Sequence, residues 1–369
     1  MEEDIYLIAL KKMTNKYYLH VVKWGEFKVS DFFDVENTKP YHWNNLKKAH
    51  KNAGVPYITR TASNNGFEDI IVWNFSANKQ NTISFWAESA TFFYQPYKYV
   101  VWNKMYKLSR IWLNRYSLLF LVQVFQKSII GAGFWYGKWL TGTRFKSRYI
   151  LLPKDKSWNP DWDFMEVYMR EKEKQQLETA LSYYKKKLWD KNVREMSLEN
   201  CEWRDFEIED KVWEVISGID IYEKERTIWD RPYVSATAQN NGIWYFVWNL
   251  NGSIEKNCLS VNRNGSVGYS FFHEYEALFW NDTRKLKLYH QNKYVWYFVS
   301  SMITKQKEKY WYWYKLWTAR LKKQKILLPA NSKWEPDWEF IEQYIQHQEQ
   351  KLVKKYIEFV EGKLTFLKE

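Results

Sequence analysis

Two stretches of the chain carry apolar residues at steps of three and four. In the first they are Trp162, Met165, Tyr168 and Met169, then Leu177, Leu181, Tyr184 and Leu188, with an almost wholly polar interval from Arg170 to Gln176. In the second they are Trp338, Ile341, Tyr344, Ile345, Leu352, Tyr356, Phe359 and Leu364. That spacing places each set on one face of a helix. Pro160-Asp161 and Pro336-Asp337 stand where the helices should begin, with Pro in the first turn and acids (Asp161, Asp163 and Glu166 in the first copy) near the positive N-terminus. The first helix is predicted to end near Lys191. Two helices with one apolar stripe each need a cover for it, and each other is the economical choice. The chain ahead of each helix reads differently. It has β-branched and aromatic runs punctuated by Gly, Asn and Pro, the pattern of short strands.

The order of strand-rich segment and long helix occurs twice, and the two copies share residues. Pro56-Tyr57-Ile58-Thr59-Arg60-Thr61-Ala62-Ser63-Asn64-Asn65-Gly66 recurs as Pro232-Tyr233-Val234-Ser235-Ala236-Thr237-Ala238-Gln239-Asn240-Asn241-Gly242, an offset of 176 positions (232 − 56). Ile150-Leu151-Leu152-Pro153 recurs as Ile326-Leu327-Leu328-Pro329 at the same offset, as do Ile83-Ser84 with Leu259-Ser260 and Arg144-Phe145-Lys146 with Arg320-Leu321-Lys322. One register held over about a hundred residues marks a duplication. The predicted fold class is α+β: two repeated β-rich globules, residues 1–160 and 201–335, separated by two long antiparallel helices within 161–200 and 336–369, with pseudo-two-fold symmetry. Paired as a coiled coil, such helices form a rod of about 45 Å at ~1.5 Å per residue.

Charge then narrows the partner. Lys and Arg number 56 against 43 Asp and Glu, leaving a net +13 and a pI near 9.2; a polyanion, and nucleic acid first, is the expected ligand. Aromatic residues make up 20% of the chain, more than a core requires. Cys201 and Cys258 stand alone, which argues against a disulfide framework or Cys-rich zinc site. The apolar run near the N-terminus is shorter than the ~7–15 residues of a signal-peptide core. The run Leu118 to Phe125, broken by Gln123, falls short of the ~20 residues of a membrane helix. The expectation is a soluble, cytoplasmic protein without a membrane partner.

A DNA reader needs cations for phosphates and planar polar groups for base edges. The candidates are Tyr57, Thr59, Arg60, Thr61, Asn64 and Asn65 in the first copy and Tyr233, Ser235, Thr237, Asn240 and Asn241 in the second. Asn-Asn-Gly also fits a left-handed turn with no ligand role. Arg60 is matched by Ala236, a difference suited to reading different bases. Arg144, Lys146 and Arg148, matched by Arg320, Lys322 and Lys323, are predicted to alternate along a strand, so that one face holds phosphates or simply meets water. The runs Phe134-Trp135-Tyr136 and Tyr310-Trp311-Tyr312-Trp313-Tyr314 read as core or as stacking platforms. No Gly-rich phosphate loop follows a strand, the six His residues lack metal spacing, and acid groups such as Glu207/Glu209/Asp210 lack the context of a nuclease. No catalytic residue, cofactor or metal is assigned to the chain. Two other classes stay in view: a carbohydrate-binding or adhesion protein using its aromatic surplus, and a nuclease with an unrecognised site.

The duplicated plan, the Pro-Tyr strand with its Asn-Asn-Gly turn at Val55–Gly66 and Arg231–Gly242, and the R-x-K…I-L-L-P run before each helix resemble the DNA-specificity subunits of type I restriction-modification systems and of the related type IIB enzymes. The resemblance covers nearly the whole chain. It implies that each globule is a target recognition domain reading one half of a bipartite, asymmetric double-stranded DNA site, in defence against phage. The helices would set half-site separation and dock methyltransferase subunits, two in number, through Trp162, Met165, Met169, Leu177, Leu181, Tyr184, Leu188, Trp338, Ile341, Ile345, Leu352, Tyr356 and Phe359. A restriction-translocase subunit or a fused nuclease would be the further partner. S-adenosylmethionine and Mg2+ would belong to those partners, not to this chain. The second copy keeps the family's turn as Gly265-Ser266-Val267-Gly268, whereas the first has Glu88-Ser89-Ala90-Thr91; residues 1–23 have no counterpart.

Overall fold

A computed structural model describes residues 19–49, 53–72, 76–110, 112–134, 137–188, 195–310 and 314–367. The chain divides into two compact units, one of residues 1–180 with 362–369 and the other of residues 181–361. The predicted end of the first helix at Lys191 and most of the arm 1–23 lie outside the described residues.

The first unit runs β1 (Trp24–Lys28), α1 (Val29–Phe32), β2 (Asp34–Asn37), β3 (Gly54–Ile58), β4 (Phe67–Val72), β5 (Thr82–Trp86), β6 (Phe92–Gln95), β7 (Val100–Val101), β8 (Met105–Ser109), α2 (Arg115–Ser128), α3 (Gly142–Lys146), β9 (Tyr149–Pro153) and into α4 (Trp162–Lys187). The second runs β10 (Trp203–Glu207), β11 (Val212–Ser217), β12 (Ile228–Val234), β13 (Ile243–Val247), β14 (Cys258–Asn262), β15 (Ser270–His273), β16 (Leu278–Phe279), β17 (Thr283–Leu288), α5 (Lys293–Thr304), α6 (Thr318–Lys322), β18 (Lys325–Pro329) and into α7 (Trp338–Phe366).

Each unit builds the same three small sheets. The first has orders β1-β9, β2-β8-β5-β6 and β4-β3-β7; the second has β10-β18, β11-β17-β14-β15 and β13-β12-β16. The duplication read from the sequence is thus a duplication of topology. Its register is not constant, however. β14 follows β5 by 176 positions, but β15 follows β6 by 178, because the loop 263–269 is two residues longer than 87–91. The shift is lost again along the next helix, where α5 has 12 residues against 14 in α2.

The two cores differ in size of side chain but not in plan. In the first, Phe85, Phe92, Phe125 and Phe145 interlock with ring centroids 5.0 to 5.5 Å apart. In the second, the volume is filled by Leu259, Val261, Phe272, Trp296, Val299 and Leu321. Asn114 and Asn292 cap α2 and α5, each accepting from backbone N–H groups of the first turn. Asp161 and Asp337 do the same for the long helices, accepting from the N–H of Phe164 and Phe340 at 2.9 and 3.0 Å.

The long helices begin on their own globules, which corrects part of the pairing expectation. Met165 and Ile341 are fully buried in the first and second cores respectively, and Trp162, Met169, Trp338 and Ile345 pack against those same cores. Their stripes are covered by α2 and α5, with Phe120 on Tyr168 at 5.8 Å and Phe298 on Tyr344 at 6.3 Å. Further along α7 the predicted stripe is also displaced. Leu352 and Phe359 are exposed, and the covered residues are Val353, Ile357, Val360 and Leu364. Both sets step by three and four, so spacing could not choose between them.

In the first unit, Glu173 of α4 binds Arg115 through both carboxylate oxygens at 2.8 and 3.0 Å and lies 3.9 Å from Lys363 of α7. In the second, the last turns of α4 meet α7: the rings of Tyr184 and Tyr356 stand 4.7 Å apart, Lys185 pairs with Glu361 at 2.6 Å, and Gln350 donates to the Lys187 carbonyl. Leu177, Leu181 and Leu188 are half-buried. Among the described residues no helix is long and apolar enough to cross a membrane.

Candidate nucleic-acid interface

The Asn-Asn-Gly segments close the β3–β4 and β12–β13 hairpins. Asn64, Asn65 and Gly66 take φ of 50, 56 and 74°, and Asn240, Asn241 and Gly242 take 49, 55 and 77°. Three successive left-handed residues explain why two Asn and a Gly are needed there. The second Asn of each triplet is a clasp: Asn65 Nδ2 donates to the Tyr94 carbonyl at 2.8 Å and Asn241 Nδ2 to that of Phe272 at 3.3 Å. Its amide is therefore engaged with the fold, although all four Asn residues are exposed.

Three more candidates turn inward. Tyr57 and Tyr233 are each 1% exposed; the Tyr57 hydroxyl donates to the Tyr41 carbonyl and the Tyr233 oxygen accepts from the Ile221 N–H. Burial pushes the Tyr57 phenol up to about 12. Ser235 is also buried. Both faces of these strands are covered: Tyr57 and Tyr233 pack in one apolar cluster of their unit, and the neighbouring Ile58 and Val234, 1% and 0% exposed, in another. Thr61 and Thr237 brace their own loops by accepting from the N–H of Ser63 and Gln239. Thr59 and Arg60 reach the surface.

The basic clusters do not lie on strands. Arg144 and Lys146 belong to α3, capped by the Thr141 hydroxyl, and Arg320 and Lys322 to α6. One buried residue, Phe145 or Leu321, anchors each helix, so the alternation is that of a single helical turn. Arg144 donates to the Trp139 carbonyl, and Arg320 makes the equivalent bond to the Lys315 carbonyl. Arg148 donates to the Ser128 carbonyl and lies over the Phe134 ring. Lys322 pairs with Glu209 at 3.2 Å, while Lys146 and Lys323 are exposed. Trp135, Tyr136, Trp311, Tyr312 and Trp313 lie outside the described residues; Tyr310 packs on the second core.

The loops that Arg144 and Arg320 hold contribute to one tip in each unit. In the first, Glu88 receives Lys104 at 2.9 Å and Arg60 at 3.9 Å. The Arg60 guanidinium lies 5.3 and 5.7 Å from the ring centres of Trp86 and Trp102, and Lys104 sits 3.6 Å over Trp139. In the second, Asp282 pairs with Arg263 and accepts from Asn264 Nδ2 at 3.1 Å, and Arg263 lies 4.8 Å over Trp317. Asn262 ties this tip to the hairpin loop by donating to the Thr237 carbonyl at 3.0 Å. Cation, carboxylate and aromatic ring recur, with different residues on a matching frame.

Behind the hairpin turn each unit buries a polar side chain at the matching position of the edge strand. In the first, Gln95 donates to Ser84 Oγ at 2.9 Å; in the second, His273 takes that place, with Nε2 2.8 Å from Ser260 Oγ and Nδ1 3.3 Å from the Tyr275 hydroxyl. Burial pushes the His273 imidazole down to about 3. The folded state therefore holds it neutral, and the stability this gives is complete above the unfolded value near 6.5. It falls as pH drops from there towards 3, by about 2 kcal/mol at pH 5. His273→Gln is expected to remove that loss and move the acid unfolding midpoint of the second unit downward. An unchanged acid transition followed by circular dichroism would show that His273 is not the group responsible.

Comparison with known proteins places this arrangement. The family model for the type I restriction modification DNA specificity domain matches twice, over residues 21–181 and 201–357. The chain belongs to this family. It is also 35% identical over 345 residues to the type II restriction enzyme specificity subunit S.BcgI of Heyndrickxia coagulans, covering 90% of this chain and 97% of that one. Among solved structures, the S subunit of a type I system from M. genitalium aligns over 94% of both chains at 14% identity with a TM-score of 0.45. The HsdS subunit from Thermoanaerobacter tengcongensis aligns at 9% identity over 94% of this chain and 90% of its own, with a TM-score of 0.28. The assignment does not rest on these two. The chain is a specificity subunit of a restriction-modification system, concerned with DNA sequence recognition, and neither the carbohydrate-binding nor the nuclease alternative finds support.

For a specificity subunit, sequence reading missed most of the tip. Glu88, Lys104, Arg263, Asn264 and Asp282 come from loops far apart along the chain. The signal was hidden by the longer loop 263–269: Lys104 and Asp282, each just before its strand, correspond at an offset of 178, not at the 176 read from the sequence. It also missed Trp229, Trp244 and Trp248, which are exposed on the β12–β13 hairpin; in the first unit Glu68 stands where the second has Trp244, and Asp69 where it has Tyr245.

Proposed function

We propose that each unit reads one half of a bipartite, asymmetric double-stranded site, and that α4 and α7 form an antiparallel coiled-coil spacer that fixes the gap between the halves. The observation that carries this reading is the repetition of one three-sheet frame with different side chains at its tip, because two readers of one build and unlike contacts need an asymmetric target. The contacts of Glu173 with Lys363 and of Tyr184 with Tyr356 support antiparallel helices. A rod of about 45 Å spans no more than about 13 base pairs at ~3.4 Å each, and about ten would keep both readers on one face of the duplex. The test is to replace residues 201–335 with a second copy of the first globule. The motif bound by the hybrid is expected to become an inverted repeat of the first half; retention of the original second half would refute the reading.

The partners on this reading are two methyltransferase subunits, with the nuclease supplied by a further subunit or fused to them; S-adenosylmethionine and Mg2+ would be bound there. Two matching grooves favour two copies of one partner. In the first unit a groove of about 740 Å³ is lined by Trp24, Phe120, Tyr149, Leu151 and Met169, among others. In the second a groove of about 650 Å³ is lined by Trp203, Met302, Lys325 and Leu327. Leu151 and Leu327 are 55% and 50% exposed within them, and Leu352 and Phe359 add an exposed apolar face on α7. Leu151→Asp and Leu327→Asp are each expected to cost one bound methyltransferase, and the double change both, as read by mass measurement of the assembly. Two copies retained by the double variant would exclude the grooves.

A further inference from the structure

We propose that the tip of each unit is a base-reading site in which one carboxylate aims two donors: Glu88 aims Arg60 and Lys104 in the first unit, and Asp282 aims Arg263 and Asn264 in the second. The inference rests on the half-site reading above and names the side chains that give each half its sequence.

The two tips make the same cross-link with opposite polarity. In the first unit the acid stands on the β5–β6 loop and its lysine just before β8; in the second the acid stands just before β17, and its arginine and amide on the β14–β15 loop. In the first unit both cations of the cluster stay open to a ligand. Arg60 and Lys104 keep 43% and 40% of their side-chain surface exposed while Glu88 keeps 9%. The carboxylate there is thus the inner, fixed member and its donors face outward; in the second unit, Arg263 and Asp282 keep 15% and 24% of their side-chain surface exposed, and Asn264 is half-buried beside them.

Unsatisfied groups gather at the same place. Among the described residues, ten buried polar side-chain atoms have no hydrogen-bond partner, and five belong to these tips: Trp86 Nε1, Trp102 Nε1 and Asn103 Oδ1 in the first unit, Asn262 Oδ1 and Arg263 Nε in the second. Trp86 and Asn262 occupy the same register position. A buried polar atom left unpaired costs free energy until water or a ligand group reaches it. The first tip offers cations and N–H donors and suits the acceptor edge of guanine. The second tip adds the Asn264 amide and carboxylate oxygens to an arginine, and suits adenine, whose edge both donates and accepts.

The test is selection of bound duplexes from a random library by the full chain with its methyltransferase partner, for wild type, Glu88→Gln, Asp282→Asn and Lys104→Met, together with the salt dependence of binding. Glu88→Gln and Lys104→Met are expected to lower discrimination at one position of the first half from about tenfold or more to under about twofold. The second half and the salt slope should stay as in wild type. Asp282→Asn should do the same in the second half only. Lys104, being exposed, serves if Glu88→Gln melts early. Weakening of all sequences alike with a shallower salt slope would make the tips phosphate contacts and overturn the proposal, as would motifs that all four proteins share. A wild type that selects no bipartite motif would instead overturn the half-site reading itself.

Discussion

Gly218→Ala is expected to destabilise the second unit strongly, so that it melts well before the first. A Cβ at this position would lie 2.2 Å from both the Phe279 and the Trp280 carbonyl oxygens, and backbone atoms cannot swing away as a side-chain end can. Gly218 also donates to the Thr283 carbonyl, and Ile219 donates to that of Phe279 at 2.8 Å. Retreat of the chain would thus break the junction between β11 and the β16–β17 segment. The cost should be on the order of 3 kcal/mol or more, enough to separate the thermal unfolding of the two units into two steps. Because the units are expected to read DNA separately, the motif selected at a temperature between the two melting steps should shrink to the first half. Gly362→Ala is the control: its Cβ meets nothing within 4 Å in the interior of α7, and it should gain roughly 0.5–1 kcal/mol of helix stability. A Gly218→Ala protein melting in one wild-type step would contradict both the packing argument and the independence of the units.

Lengthening the spacer should change the gap and nothing else. The chain passes between units after Ala180 in α4 and after Glu361 in α7. Four residues inserted at both points leave the contacts of Glu173, Arg115 and Lys363 within one unit and those of Tyr184, Tyr356, Lys185 and Glu361 within the other. Four residues are about one helical turn and add about 6 Å, close to two base pairs. The preferred gap should grow by about that amount while both half-motifs keep their bases. Insertion in one helix alone should break the pairing and abolish binding to the bipartite site. A double insertion that leaves the gap unchanged would show that the helices do not set the distance.

What could be read from the sequence was what short-range chemistry decides. The helix starts at Asp161 and Asp337, the left-handed Asn-Asn-Gly turns and the duplication itself depend on neighbours within a few residues or on direct comparison of the two copies. The failures have a common cause. Leu352-Tyr356-Phe359 and Val353-Ile357-Val360-Leu364 satisfy the same spacing, and only the partner surface decides which set is covered. Arg144-x-Lys146-x-Arg148 alternates as a strand would, but Thr141 can cap a helical turn and Phe145 needs the core. Tyr57, Tyr233 and Ser235 looked available because a strand covered on both faces cannot be told from a half-exposed one by these residues alone. The tip was the hardest part to see, since Arg60, Glu88 and Lys104 are joined only by folding. Even so, the two copies differ at these positions, with Ala236 in the place of Arg60 and Asp282 in the place of Lys104, as a frame that keeps its build and changes its target would require.

The most direct measurement is the enrichment of random duplexes by the purified chain with its methyltransferase partner, at two salt concentrations. The expected result is one asymmetric motif of two specific blocks whose centres lie no more than about 13 base pairs apart, separated by a gap of fixed length and free sequence, with overall affinity falling steeply as salt rises. A single contiguous motif, two blocks with no fixed gap, or centres some twenty base pairs apart would contradict the two-reader, one-ruler arrangement.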